Sequence, residues 1–225
     1  MPLRAIVFDF DGVIADTEPL HLKAFRRVLA DMGIRLDTDD YYQRYLGFDD
    51  AGVLEAIAAE RGLQLDAGAV QRFVERKAQV LEALVENDTV LFAGVRECIA
   101  RCAAHAPLAI ASGALGHEID LILRRAGMRD AFPVIVGAGD TPRSKPAPDP
   151  YALAVRRLAE TVPGLTAGQC VAIEDSRWGL ASARAAGLRT VAVAHTYAAD
   201  SFGEADFVAD TLADITIERL QGIFA

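Results

Sequence analysis

Six short, apolar, β-branched runs most constrain what this 225-residue chain can fold into. They are "LRAIVF" (3–8), "PLAIA" (107–111), "PVIVG" (133–137), "CVAIE" (170–174), "TVAVA" (190–194) and "DFVA" (206–209). None alternates apolar with polar residues, so each predicts a strand buried on both faces. Helical patterns such as "GVRECIARCAAH", "GHEIDLILRRAG", "DPYALAVRRLAE" and "GLASARAAG" separate most of them. Strand and helix in this alternation predict an α/β fold, a Rossmann-like parallel sheet with helices on both faces.

The alternation fails over residues 17–88, where no strand run occurs. One helical row is Leu20, Ala24, Phe25, Val28, Leu29 and Met32; a second is Val53, Leu54, Ile57 and Ala58. A third is Val70, Phe73, Val74, Leu81, Leu84 and Val85. These rows predict a small all-helical cap at 17–88, inserted into a core made of 1–16 and 89–225. The linkers, near Ala15–Thr17 and Asp88–Gly94, are the expected hinges of a lid that excludes water.

Composition narrows the partners. A net charge of -9 repels nucleic acid and acidic membranes, so any anionic substrate must be met by local cations. Three cysteines, Cys98, Cys102 and Cys170, argue against a disulfide framework and for a reducing compartment. Cys98 and Cys102 stand four apart in a helical pattern and are expected to share an apolar face. No apolar run reaches membrane-spanning length, and "AIVF" is too short for a signal-peptide core. The expectation is a cytoplasmic protein, monomeric or weakly dimeric.

The polar clusters follow the strands. Asp9 and Asp11 come directly after the first run, Ser112 and Gly113 after the second. Lys145 lies in the loop after the third, and Glu174 and Asp175 close the fourth. In an open parallel sheet, ligands bind beyond the carboxyl ends of the strands, and every one of these clusters falls there. Carboxylates from two strands with no His or Cys make an oxygen-rich set that favours Mg²⁺. A lysine, a hydroxyl and backbone amides near a helix start suit a phosphate. Together they point to phosphoryl transfer, with Asp9 positioned to attack phosphorus and Asp11 to move a proton.

These residues resemble a known family. "DFDGVIADTEP" is similar to the first motif of the haloacid-dehalogenase-like phosphohydrolases, and "IASGA", "SKPAPDPY" and "IEDSRWGLASARAAG" look like the second, third and fourth, in order. The helical insertion resembles the cap of the subgroup containing phosphoglycolate phosphatases, sugar-phosphate phosphatases and β-phosphoglucomutase. The resemblance implies a Mg²⁺-dependent phosphatase of a small phosphate ester, acting through a phospho-aspartate. By that likeness Asp9 is nucleophile and metal ligand, and Asp11 is acid/base and gives its carbonyl to the metal. Ser112 and the Gly113 amide hold the transferring phosphate, Lys145 bridges nucleophile and phosphate, and Glu174 with Asp175 completes the metal site. Where the family's return linker carries Pro-Gly, this chain has Ala93-Gly94, and Gly113 replaces a common Ser or Asn.

Each position also has a plainer reading. Asp11-Gly12 is ordinary turn chemistry, Asp16 reads as a cap of the helix in "TEPLHLKAF", and Ser112 or Glu174-Asp175 would serve as caps. Lys77, on an apolar row, either snorkels to water or reaches substrate. His21 likewise reads as a packing residue or a substrate contact. His105, His117 and His195 show no constellation and are assigned structural roles. Lys145-Pro146 is a candidate cis peptide. Two other readings stand beside the phosphatase: a β-phosphoglucomutase-like mutase, and an idle phosphate-binding regulatory protein. A mutase of that kind needs a cap cation for a second phosphate, and "YLGFDDAGVL" has Asp49 and Asp50 after Gly47 instead, leaving Arg44, Arg76 or Lys77 as substitutes.

Overall fold

The computed structural model describes residues 2–45, 48, 50–85 and 90–225. Six parallel strands form one sheet in the order β3-β2-β1-β4-β5-β6. They are β1 (Ala5–Phe8), β2 (Leu108–Ala111), β3 (Val134–Val136), β4 (Cys170–Glu174), β5 (Arg189–Val193) and β6 (Phe207–Ala209). β1 and β4 are buried along their whole length, as unbroken apolar runs require of central strands. The chain winds outward from β1 to β3 and returns on the other side of β1 with β4. The winding therefore reverses between β1 and β4, the place where such sheets bind ligands. Register sets Phe8 against Ile173, so the residues that follow, Asp9 and Glu174, stand side by side at the carboxyl edge of the sheet.

The chain forms two compact units, Met1–Asp16 with Leu91–Ala225, and Thr17–Val90. In the first, the helices are α5 (Val95–Ala103), α6 (Gly116–Arg125), α7 (Asp149–Ala159), α8 (Arg177–Ala185) and α9 (Ile217–Gly222). Small residues let α7 and α8 lie close to the strands: Ala5, Ala109, Ala111, Ala154, Ala172 and Ala183 share one buried cluster with Tyr151 and Leu158. Cys98 and Cys102 are buried on α5, where their spacing of four puts both on its apolar face. The segment after Asp11 is tied to the return linker by a bridge from Ala15 to Leu91 and a bond from Phe92 N–H to the Ile14 carbonyl, 3.2 Å.

The second unit holds α1 (Glu18–Asp31), α2 (Thr38–Asp40), α3 (Asp50–Arg61) and α4 (Ala67–Val85). A π-helical turn, Tyr41–Tyr45, which the periodicity did not indicate, continues α2. Phe25 of α1 stacks on Phe73 of α4 with ring centroids 6.1 Å apart, joining two of the predicted rows. Two readings are corrected here. The N-cap of α1 is Thr17, not Asp16, and Pro19, which has no N–H to satisfy, stands in its first turn. Lys77 does not snorkel: it is 1% exposed and its charge is met inside the unit. Gly47, Asp49 and the start of the expected hinge at Asp88 lie outside the described residues.

Candidate active site

Four of the expected residues converge at the carboxyl end of β1 and β4. Asp9 N–H donates to the Ile173 carbonyl at 2.9 Å, extending the ladder and fixing the carboxylate at the sheet edge. Asp9 Oδ1 accepts from Phe10 N–H at 2.7 Å and from Lys145 Nζ at 2.9 Å. Lys145 also donates to Glu174 Oε1 at 2.6 Å and lies over the Tyr151 ring. Its loop carries the cis Lys145-Pro146 bond.

Glu174 is fully buried and satisfied from all sides. Oε1 accepts from Lys145 and from the Tyr151 hydroxyl at 2.9 Å. Oε2 accepts from the backbone N–H groups of Asp175 and Ser176 and from the Ser176 hydroxyl at 3.0 Å. Ser176, rather than the acidic pair, caps α8, accepting from Gly179 N–H at 3.0 Å. A side chain at Gly179 would collide with Glu174, its Cβ falling 1.7 Å from Oε1. The buried carboxylate has room only because a glycine stands there.

Electrostatics shows what this arrangement lacks. Oxygens of Asp9, Glu174 and Asp175 lie within 4.8 Å of one another, and Lys145 alone is paired with them as a cation among the described residues. Burial, then repulsion from Glu174, raises Asp9 well above the usual carboxylate range, although Lys145 pulls the other way. Burial and Glu174 likewise push Asp175 up to about 7, against a hydroxyl bond from Thr196. Burial opposes charge on Lys145, but attraction to Asp9 and Glu174 prevails and raises its pKa. The carboxylate oxygens of Asp9 and Asp175, with Glu174 beside them and no nitrogen or sulfur in the group, fit a hard dication such as Mg²⁺, which would relieve the repulsion.

Asp11 and Gly12 form the turn after Asp9. Gly12 adopts φ +76°, and a Cβ there would lie 1.9 Å from Asp175 Oδ2, so the turn and the β4 loop touch through a residue without a side chain. Ser112 is buried at the end of β2, where its Oγ accepts from Ala114 N–H at 3.1 Å; α6 begins later, with Leu115 as N-cap. Gly113 beside it is exposed, with open space where a side chain would go. In the helical unit, Lys77 Nζ lies 2.8 Å from Asp50 Oδ1, 2.9 Å from His21 Nδ1 and 5.0 Å from the centre of the Phe25 ring. Burial, then the Lys77 charge, lowers the His21 pKa to about 3.

The sequence reading missed Tyr151, Ser176 and the pair His195-Thr196. His195, assigned a structural role, has Nδ1 3.0 Å from the Gly12 carbonyl, and Thr196 donates its hydroxyl to Asp175 Oδ2. Both follow β5, so the rule that drew attention to the ends of the first four strands applied to the fifth as well.

Known proteins resemble this chain along most of its length. Residues 6–193 match the model of the haloacid dehalogenase-like hydrolases. The chain is 35% identical over 227 residues to the plasmid-borne protein CbbY of Cupriavidus necator, covering 94% of this chain and 87% of that one. It is 30% identical over 223 residues to hexitol phosphatase B of Escherichia coli, covering 98% and 97%. Among solved structures, a variant of CbbY from Rhodobacter sphaeroides in complex with xylulose 1,5-bisphosphate superposes with a TM-score of 0.82, at 27% identity, covering 94% and 96%.

Proposed function

The chain belongs to the haloacid dehalogenase-like hydrolases, and we propose that it is a Mg²⁺-dependent phosphatase of small phosphate monoesters, of phosphoglycolate or sugar-phosphate type. The observation that carries this reading is the buried Asp9–Lys145 pair beside Glu174 and Asp175.

Asp9 attacks phosphorus; the bond from phosphorus to the ester oxygen breaks, and the leaving oxygen takes a proton from Asp11. Asp11, now a carboxylate, accepts a proton from the water that attacks phospho-Asp9, releasing inorganic phosphate and restoring both acids. Lys145 holds the Asp9 carboxylate in place and offsets charge on the transferring group, while Ser112 and the Gly113 amide are assigned its remaining oxygens. Asp9, Asp175 and the Asp11 carbonyl would hold Mg²⁺, with Glu174 close by and bound to Lys145; the metal when bound supplies charge neutralisation between nucleophile and phosphate.

The helical unit is assigned the choice of ester. Hydrolysis is favoured over a mutase by Lys77: this cation, one of the three candidates to replace a phosphate-binding arginine, is already matched by Asp50 and hydrogen-bonded to His21. Phosphatase names among the relatives support the same choice, and the CbbY complex adds a ketose bisphosphate to the candidates.

The test is phosphate release with Mg²⁺ from phosphoglycolate, fructose 1-phosphate, β-glucose 1-phosphate and xylulose 1,5-bisphosphate. Release from at least one, with no conversion of β-glucose 1-phosphate to the 6-phosphate, is expected. Efficient isomerisation primed by a sugar bisphosphate makes the protein a mutase, and silence on every ester favours the idle binding protein.

A further inference from the structure

We infer that His195 is a positioning residue for the acid–base turn. The inference rests on the phosphatase reading, in which Asp11 moves the proton. Gly12, the next residue, has its N–H bound to the Ala15 carbonyl at 2.9 Å, and Asp11 itself bridges to Ala15. Those bonds close the turn on itself, and none of them engages the Gly12 carbonyl. A glycine at positive φ has few steric limits, so the peptide after it is oriented by whatever holds that carbonyl.

His195 holds it. A carbonyl oxygen only accepts, so Nδ1 carries the proton of the 3.0 Å bond. The imidazole is fixed in turn by stacking on Phe92, centroids 4.2 Å apart and planes 20° apart. Phe92 is tied to the same turn through the Ile14 carbonyl. The Asp175 carboxylate stands where a side chain on Gly12 would go, and Thr196, the residue after His195, donates its hydroxyl to it. The dipeptide after β5 thus grips the acid–base turn through one residue and the facing carboxylate through the other. The contact with Gly12 joins residues 183 apart in the chain. Loss of the His195 bond frees the Gly12 peptide to rotate, and rotation there displaces Asp11 while leaving Asp9, held by the sheet and Lys145, in place.

That separation dictates the measurement. Acid assistance is needed most by poor leaving groups, so a misplaced Asp11 harms alkyl esters more than aryl esters. His195→Phe keeps a ring on Phe92 and removes the N–H; His195→Asn returns an amide donor near the place of Nδ1. The kcat for the fastest alkyl ester among phosphoglycolate, fructose 1-phosphate, β-glucose 1-phosphate and xylulose 1,5-bisphosphate is divided by that for 4-nitrophenyl phosphate. This ratio does not depend on the folded fraction of a preparation. The Phe variant is expected to lower it about tenfold, part of the ~10²–10⁴ that a positioned acid contributes, and the Asn variant to recover most of the loss. An unchanged ratio, or an Asn variant no better than Phe, overturns the positioning role while the parent's turnover keeps the phosphatase reading intact. A parent that releases phosphate from no alkyl ester overturns the phosphatase reading itself, and this inference with it.

Discussion

The Lys145 ammonium stands 2.9 Å from Asp9 Oδ1 where little water reaches either group, their side chains being 13% and 10% exposed. A pair so placed is held by mutual need: each charge, left alone, would face the cost of burial without a partner. Lys145 carries a second obligation to Glu174 at 2.6 Å.

Lys145→Met should therefore damage folding as well as turnover. Two buried carboxylates lose their cation, and breaking a buried pair costs about 3–5 kcal/mol. Urea unfolding of the metal-free protein measures it. A loss below about 1 kcal/mol would show that water or protonation already compensates the acids.

The acid pair divides its labour in a way two variants separate. Asp9→Asn removes the attacking oxygen, so acid quenching should trap no phosphorylated protein and turnover should vanish on every ester. Asp11→Asn keeps the nucleophile, and phosphorylation by 4-nitrophenyl phosphate should survive while alkyl esters become nearly inert. Equal loss on both ester types in both variants would sink the assignment.

Much of this site could be read from the chain because its parts obey one local rule. A buried parallel strand ends, and the polar residues that follow must lie on the sheet's binding edge; Asp9, Ser112 and Glu174 each sit where that rule puts them. What stayed hidden depends on pairings no spacing encodes. Tyr151 reads as a core aromatic at the start of α7, yet its hydroxyl meets Glu174, 23 residues away. Lys77 shows as a misplaced charge on an apolar row, but its partner Asp50 comes from a different helix. Asp16 failed as a cap for a smaller reason: the helix begins one residue later than its side chain would require.

Metal binding should stabilise the protein as well as activate it. Asp9 and Asp175 are strained by burial and by Glu174, so a dication among them removes repulsion that the folded state otherwise bears. Adding Mg²⁺ to chelator-treated protein should raise the Tm, approaching about 2.7 kcal/mol of stabilisation at a hundredfold excess over Kd. Asp175→Asn should blunt the rise, and EDTA should abolish turnover reversibly. Full activity in chelator would remove the metal from the reading.

His21 offers a pH test confined to the helical unit. Its folded pKa is lowered to about 3 by burial and by Lys77, whereas in the unfolded chain an imidazole titrates near its ordinary 6.5. Between those values the unfolded state binds the proton that the folded state refuses. The stability His21 confers is thus present above about pH 6.5 and declines as pH falls, by up to about 1.4 kcal/mol per pH unit. The raised carboxylates titrate over the same range with the opposite sign, so the parent's curve alone does not isolate the histidine. His21→Asn does, because the amide keeps an acceptor for Lys77 and has no proton to gain. From pH 7 to pH 5 the parent should lose about 2 kcal/mol more than this variant in urea unfolding. Parallel curves would mean that His21 is protonated in the fold, and that Lys77 faces Asp50 alone.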